Sequence, residues 1–494
     1  MIAATIAQLR LAVSLVTGRP IPSWAFDRLI AAALDTVREF GHIAPDGEAT
    51  LNGPVLDNTT RREVQLRRFR AQAQRAVNGT DFYGPRFAGL GLDPGKLTWE
   101  DISRLPVTTK AALREHPDAF VHRDVRPVLR STTSGTTGKP TQVSFSKREL
   151  ESIAGFSAIG YLMGGQIHPH DVVLMATSSR ATLGNFSLTA ACTKLGALVQ
   201  PVGIIEPDQT LALLTQDLNL PGRPSRASGL GTYPSYLGEL VQRGFDLGFS
   251  PVNFGLRWIS VGGEVVTEGL LRRARQLFGD HIRFDTGYAM TETFPFAGMP
   301  CAHGHLHFEP SRGLIEVIDP ETGEASAPGQ AGTLVVTPFG PYRETTILLR
   351  YDTLDVVRRL DEQLECELRH LPATSNLLGK LFLSLRHEHG WTHPAEVLGA
   401  LEDVDDVPLP ARCGFQAEPG GVSVGVVVRE TTHAIRTRIA ESLERAGVPL
   451  VNLHLVTDPG ELQQPLPLRC DLKELGFRQT SPRRMEVNSC LRHT

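Results

Sequence analysis

The sequence predicts an α/β protein, with a large N-terminal domain of sheets flanked by helices and a smaller C-terminal α+β domain. Three observations predict it. Between residues 125 and 360, short apolar runs such as DVVLMAT, LGALVQPVG and FGLRWISVGG alternate with helical stretches such as TEGLLRRARQLFG. That alternation is the mark of a parallel sheet covered on both faces. GLIEVIDPETGEASAPGQAGTLVVTPF instead places two β-rich runs around a Pro/Gly/Glu turn, the pattern of an antiparallel hairpin. From residue 380 on, a helix (PAEVLGALEDV), a strand (GVSVGVVVRE), a second helix (THAIRTRIAESLERAG) and a strand (VNLHLVT) follow one another as a separate small unit.

In chain order, residues 1–80 read as a helical extension leading into the main domain. WAFDRLIAAALDTVREFG carries apolar residues at helical spacing, with Gly41 as a stop. RREVQLRRFRAQAQRAV reads as a basic helix presenting a solvated face. LPVTTKAALREHPDAF gives a turn at Pro106 and then a helix capped by Thr108 or Thr109. The main domain is expected over residues 81–378 and the C-terminal domain over 379–494, with the end, SPRRMEVNSCLRHT, frayed.

Composition narrows the function classes. The 494 residues are 41% hydrophobic and 21% charged, ordinary globular proportions, and the net charge is −4. No basic excess points to nucleic acid, and no apolar run approaches the ~18 residues of a membrane span. The start, MIAATIAQLRLAVSLV, lacks a basic leader and is interrupted by Gln8 and Arg10, so a helix is expected there rather than a signal peptide. The six cysteines are scattered without a CxxC, as reduced thiols of a cytoplasmic protein would be. Lysine is scarce, at positions 96, 110, 139, 147, 194, 380 and 473 alone. Chemistry that needs an ammonium therefore has few candidates.

The segment Ser131-Thr-Thr-Ser-Gly-Thr-Thr-Gly-Lys-Pro140 packs six hydroxyls, two glycines and one lysine into ten residues. Consecutive backbone N–H groups freed by glycine can nest around phosphate oxygens, hydroxyls add donors and Lys139 adds charge. It is a phosphate-cradling loop but not a Walker loop, because Pro140 stands where that pattern has Ser or Thr.

Here the chain resembles the adenylate-forming superfamily, and within it the phenylacetate-CoA ligase branch. Thr133, Ser134, Gly135, Thr136, Thr137, Gly138 and Lys139 match the superfamily phosphate loop, and Leu105-Pro-Val-Thr-Thr-Lys110 is similar to a segment the branch carries upstream of it. Val261-Gly262-Gly263-Glu264 resembles the Gly-Ala-Glu turn beside adenine. Tyr288-Ala-Met-Thr291-Glu292 resembles Tyr-Gly-x-Ser/Thr-Glu, with Ala289 in place of glycine. The resemblance implies that Tyr288 stacks on adenine, Thr291 contacts the α-phosphate and Glu292 helps hold Mg²⁺. Arg350-Tyr-Asp-Thr-Leu-Asp355 is similar to the segment whose final aspartate accepts from both ribose hydroxyls. The implied cofactors are ATP and Mg²⁺. The implied chemistry is attack of an ionised carboxylate on the α-phosphorus, which needs placement and charge neutralisation rather than a general base.

The resemblance thins at the C-terminal end. The family's C-terminal domain is mobile, turns about a hinge and brings a tail lysine to the site. Leu378-Gly379-Lys380 resembles the hinge Gly-Arg, so Lys380 joins the nucleotide-binding set, but Leu381-Phe382-Leu383 stand where the family has Ser-Asp-Asp. Counting without gaps from Asp458-Pro-Gly460 puts Leu468 at the tail-lysine position, with Lys473 five residues further on. Lys473 is the expected catalytic lysine, with Arg469 or Lys380 as substitutes.

Cys301-Ala-His303-Gly-His305-Leu-His307 alternates metal-type ligands, and Cys366-Glu-Leu-Arg-His370 follows. By resemblance to zinc-binding members of the branch, a structural Zn²⁺ is expected on Cys301, His303 or His305, Cys366 and His370. The acid pocket is expected from Tyr233, Pro234, Ser235 and Tyr236, from Gly262, and from Phe294, whose aromatic and small side chains suit an aryl acid. The expected reaction is ATP-dependent formation of acyl-AMP with pyrophosphate release, followed by transfer to CoA or to an amine. Two other readings stay open: adenylation of another small oxyanion such as nitrite for transfer to an aryl amine, and a nucleotide-binding homologue without catalysis. The expected partners are small molecules, with no nucleic acid and no membrane, and a second copy of the chain in a homodimer.

Overall fold

The computed structural model describes residues 2–40, 57–133, 140–178, 182–360 and 364–462. The tail-helix reading DLKELGF and the frayed end lie outside them.

Five parallel strands form the central sheet in the order Leu198–Pro201, Val172–Ala176, Gly229–Thr232, Trp258–Val261 and Arg283–Asp285. Every residue of Val172–Ala176 is buried, as a strand covered on both faces requires. Strand alternation then divides the core. Val172, Leu174 and Ala176 pack with Leu237, Leu240 and Val241 of the helix Pro234–Asp246 and Leu270, Ala274 and Leu277 of the helix Glu268–Phe278. Val173 and Met175 pack on the opposite side with Ile159, Leu162, Ala191 and Leu195. The N-terminal helices Ile2–Thr17 and Ser23–Phe40 close that side, through Ala7, Ala25, Phe26 and Ile30.

The basic segment forms the helix Asn58–Gly79, capped by Asp57, but it is not simply a solvated face. Gln65, Arg68, Phe69, Gln72, Ala73 and Ala76 are buried. The Gln72 amide donates to the Arg343 carbonyl (3.1 Å) and Arg70 to the Leu97 carbonyl (2.7 Å). Long stems bury while polar heads find backbone acceptors, and the charge count did not reveal that.

Two antiparallel sheets lie beyond the parallel one. Gly313–Ile318 pairs with Ala331–Pro338, the expected hairpin, and Tyr351–Arg358 and Gly379–Lys380 extend the sheet. Gly298–Pro300, His305–Phe308 and Ala373–Ser375 make the other. Strands Leu129–Thr132 and Gln142–Phe145 pair antiparallel.

The C-terminal part packs helices Pro394–Glu402 and His433–Arg445 on strands Cys413–Glu418, Gly421–Val427 and Leu450–Val456. Its core and the neighbouring one exchange residues. Val265 lies among Val397, Leu401, Val407 and Ala411, while Leu409 lies among the core residues of the helices that follow the central strands. Polar contacts support the seam. Thr267 donates to the buried Glu402 carboxylate, which also accepts the Ala411 N–H (3.3 Å), and Arg273 donates to the Val407 carbonyl (2.8 Å). Gly269 has to be glycine, since a Cβ there would sit 2.4 Å from the Glu402 carbonyl carbon. No helix among the described residues is long and apolar enough to cross a membrane.

Candidate active site

Three segments distant in sequence meet at one cluster. The Thr108 N–H donates to the Arg350 carbonyl (2.8 Å) and the Asp352 N–H to the Thr108 carbonyl (3.0 Å), which knits the upstream Thr-Thr-Lys segment to the Arg350–Asp355 strand. Thr109 caps the helix Lys110–Glu115, so Lys110 starts a helix whose entry is pinned to the sheet. In the 290–294 turn, Thr293 and Phe294 donate to the Met290 carbonyl (3.2 and 2.9 Å), and Glu292 within it is buried.

Each of the two motif carboxylates is held by one lysine and one tyrosine. Lys110 Nζ lies 3.1 Å from Glu292 Oε1, and Tyr351 Oη donates to the same oxygen at 3.1 Å. Lys380 Nζ lies 2.7 Å from Asp355 Oδ1, and Tyr288 Oη donates to Asp355 Oδ2 at 2.8 Å. Burial alone would raise the Glu292 pKa, but the Lys110 ammonium, with a smaller contribution from Lys380, holds it below the ordinary carboxylate value. Burial and the adjoining Asp355 push the Tyr288 phenol up. Asp352 is raised, by burial and by the like charge of Asp355.

The strand that presents these groups is locally strained. Arg350 and Leu354 have φ of 47° and 58°, left-handed values that bulky residues rarely adopt. Such conformations cost about 1–3 kcal/mol each and persist where the surroundings over-determine them. Arg350 is so determined. Its guanidinium pairs with both Glu316 oxygens (3.0 Å each) and donates to the Ser103 carbonyl (2.9 Å) and to that of Leu105. Leu354 lies in a bulge, where Val335 faces Asp352 but Thr333 faces Val356, and this re-aims Asp355.

The expected acid-pocket residues separate into two groups. Gly263 has φ of 88°, and a Cβ there would come within 3.3 Å of the Tyr233 ring, so the turn and the tyrosine are fitted to each other. Glu264 holds Ser235 at the start of the helix Pro234–Asp246, accepting from its N–H and its hydroxyl (2.9 Å each). Gly262 donates to the Thr232 carbonyl, and Phe294 packs with Val143 and Phe145. Tyr236 departs from expectation. It is 1% exposed, belongs to the core, and its hydroxyl is taken up by Thr210 and the Ile205 carbonyl (2.7 Å each). Thr133 is half-buried, its N–H donating to the Thr141 carbonyl, and Thr291 is half-buried beside Glu292. Ser134, Gly135, Thr136, Thr137, Gly138, Lys139 and Lys473 lie outside the described residues.

A second cluster joins Cys301, His305, His307 and Cys366, whose ligand atoms all lie within 4.8 Å of one another. The expectation of His303 and His370 is corrected. His303 is exposed on the turn, and His370 is not part of the group. His307 was missed, although the signal was present: in a strand, residues two apart share a face, so His305 and His307 project together. A Gly304 turn, with its N–H on the Cys301 carbonyl (3.1 Å), folds Cys301 back beside His305. Cys366 Sγ lies 3.3 Å from His307 Nε2. Burial pushes His307 down to about 4, leaving a neutral imidazole.

Comparison with known proteins bears on the whole arrangement. The family model of the AMP-binding enzyme matches residues 126–341. The phenylacetate-coenzyme A ligase of Thermus thermophilus is 29% identical over 329 residues, covering 64% of this chain and 71% of that protein. The Pseudomonas putida protein of the same name is 29% identical over 310 residues, covering 60% of this chain and 66% of its own length. These matches support a likeness to the adenylate-forming superfamily, in its phenylacetate-CoA ligase-like branch. Among solved structures, 2-hydroxyisobutyryl-CoA ligase in the postadenylation state superposes with a TM-score of 0.66 at 21% identity, covering 83% of this chain and 88% of that one, which shows the shared fold.

These relatives indicate an AMP-forming ligase. Residues of both clusters fit the ions the branch implies. Glu292 is a buried, ionised hard oxygen donor of the kind Mg²⁺ takes alongside substrate phosphates. Two thiols and two imidazoles, their ligand atoms within 4.8 Å of one another, form a Cys₂His₂ set of the kind zinc takes at a closed structural site.

Proposed function

We propose that the chain activates a small carboxylic acid, of aryl or arylalkyl type, as its acyl-AMP with release of pyrophosphate, and passes the acyl group to CoA. The observation that carries the reading is the single cluster in which Glu292 and Asp355 stand charge-paired beside Tyr288. In this reading Asp355 accepts from the ribose, Tyr288 meets the adenine, Thr291 and the 133–139 loop hold phosphates, and Mg²⁺ binds Glu292. The attacking acid arrives ionised, so the chain's residues have only to place it and offset charge on the phosphoryl oxygens. Tyr233, Gly262, Gly263 and Phe294 would shape the acid pocket. Residues 379–494 act as the smaller lid domain, Lys473 serves as its tail lysine, and the protein works in the cytoplasm as a homodimer. Phenylacetate-coenzyme A ligases among the relatives support CoA as acceptor. An amine acceptor is the second reading, favoured by the short helical turn Leu381–Leu383 that replaces the acidic hinge. AMP release measured over a panel of acids and nitrite, each with CoA, with amines and with neither, separates them. AMP formed only with CoA removes the amine reading, and none under any condition removes both. A structural zinc on Cys301, His305, His307 and Cys366 completes the proposal.

A further inference from the structure

The lysines of the described residues fall into two kinds. Lys96, Lys147 and Lys194 form outlying ion pairs with Asp93, Glu151 and Asp27. Lys110 and Lys380 instead each hold a carboxylate of the adenylation cluster. Lys380 sits on the short strand that leads into the C-terminal part, so its position depends on that segment. Lys110 does not. Its helix is capped by Thr109 and tied by Thr108 to Arg350 and Asp352, which fixes its Cα within the main body.

The Lys110 side chain is 19% exposed and that of Glu292 1%, so the ammonium is the outer member of the pair. It approaches Oε1, which already accepts from Tyr351. A divalent cation binding the same carboxylate would meet a like charge about 3 Å from the shared oxygen, a strong repulsion at low local dielectric. A lysine is a point charge on a flexible stem and can swing aside. The place next to a metal-bound triphosphate is where an anion awaits it.

We propose that Lys110 is a further nucleotide-site residue: it neutralises Glu292 in the empty enzyme and yields that carboxylate to the divalent ion, its ammonium then moving to a phosphoryl oxygen. The inference rests on the reading of this cluster as the ATP site. It gives the enzyme a charge-neutralising lysine in the main body that does not depend on a domain swing.

The test compares wild type, Lys110→Met, Lys110→Arg and Glu292→Gln in the full chain, with folding checked by circular dichroism. Nucleotide-free Mn²⁺ binding is read by electron paramagnetic resonance, and the KM for Mg·ATP by acid-dependent ATP–pyrophosphate exchange. Lys110→Met is expected to bind Mn²⁺ at least threefold more tightly, because the competing cation is gone, yet to raise the KM for Mg·ATP at least tenfold. Glu292→Gln should lose the Mn²⁺ site. A folded Lys110→Met that leaves either quantity at its wild-type value overturns the proposal. Should that variant not fold, Lys110→Arg decides. A guanidinium held on both Glu292 oxygens should weaken nucleotide-free Mn²⁺ binding, and unchanged affinity overturns the proposal. Wild-type protein that exchanges pyrophosphate with no acid would remove the adenylation reading, and the Mn²⁺ measurement then judges Lys110 alone.

Discussion

The carboxylate cluster and the Cys–His cluster share a construction and differ in chemistry. Each draws side chains from separate segments onto strands of an antiparallel sheet. The first is made of full charges already offset, Glu292 by Lys110 and Asp355 by Lys380. The second is made of soft sulfur and nitrogen donors, Cys301, His305, His307 and Cys366. The difference teaches what each can receive. Paired charges can exchange partners for a charged nucleotide and a hard ion with little net desolvation, whereas clustered sulfur and nitrogen donors suit a borderline-soft ion that then stays.

Breaking the first cluster should have the largest effect. Glu292→Ala and Asp355→Ala are each expected to lower turnover at least tenfold, about 1.4 kcal/mol of lost transition-state stabilisation. An AMP-release assay checks this, and a wild-type rate from either would mean that the motifs have been assigned wrongly. Breaking the second should leave chemistry nearly intact but cost structure. Cys366→Ser should reduce zinc, measured by plasma mass spectrometry on protein purified without chelator, from about one equivalent to well below it and lower the melting temperature by several degrees. His303→Ala and His370→Ala should keep the metal, and its loss from either would redraw the ligand set. Lys380→Ala is expected to raise the KM for ATP several-fold, less than removal of Asp355 itself, in steady-state kinetics.

The smallest effect sharpens the contrast between paired and unpaired acids. Burial raises the pKa of Asp285, which accepts from the Ser260 hydroxyl (3.0 Å) and the Gly287 N–H (3.3 Å). A carboxyl with a raised folded pKa contributes stability below its unfolded value that is lost as pH rises through the folded one. Asp285→Asn should therefore gain melting temperature relative to wild type at pH 7 compared with pH 4. An equal offset at both would show that Asp285 ionises freely.

Much of this was legible because the signal is local. The parallel sheet follows from apolar runs alternating with helical ones, and Tyr288–Glu292 and Arg350–Asp355 each carry their motif within a few neighbouring residues. What escaped depends on who meets whom in space. Lys110 could be placed in its motif, but its partner Glu292 is fixed by backbone bonds between Thr108 and the 350–352 strand. Tyr236 looked like pocket because it follows Tyr233, yet three residues is most of a helical turn, and its hydroxyl found Thr210 instead. The basic stretch around Arg68 reads as solvent-facing until the backbone acceptors that bury it are known.

The exchange of Val265 and Leu409 between neighbouring cores has a thermodynamic consequence. Each part contributes an apolar side chain that only the other can shelter, so the loss of one exposes hydrocarbon in the survivor. The two parts are therefore expected to melt together, in a heat-capacity trace with one peak, and two resolved peaks would show that they unfold separately.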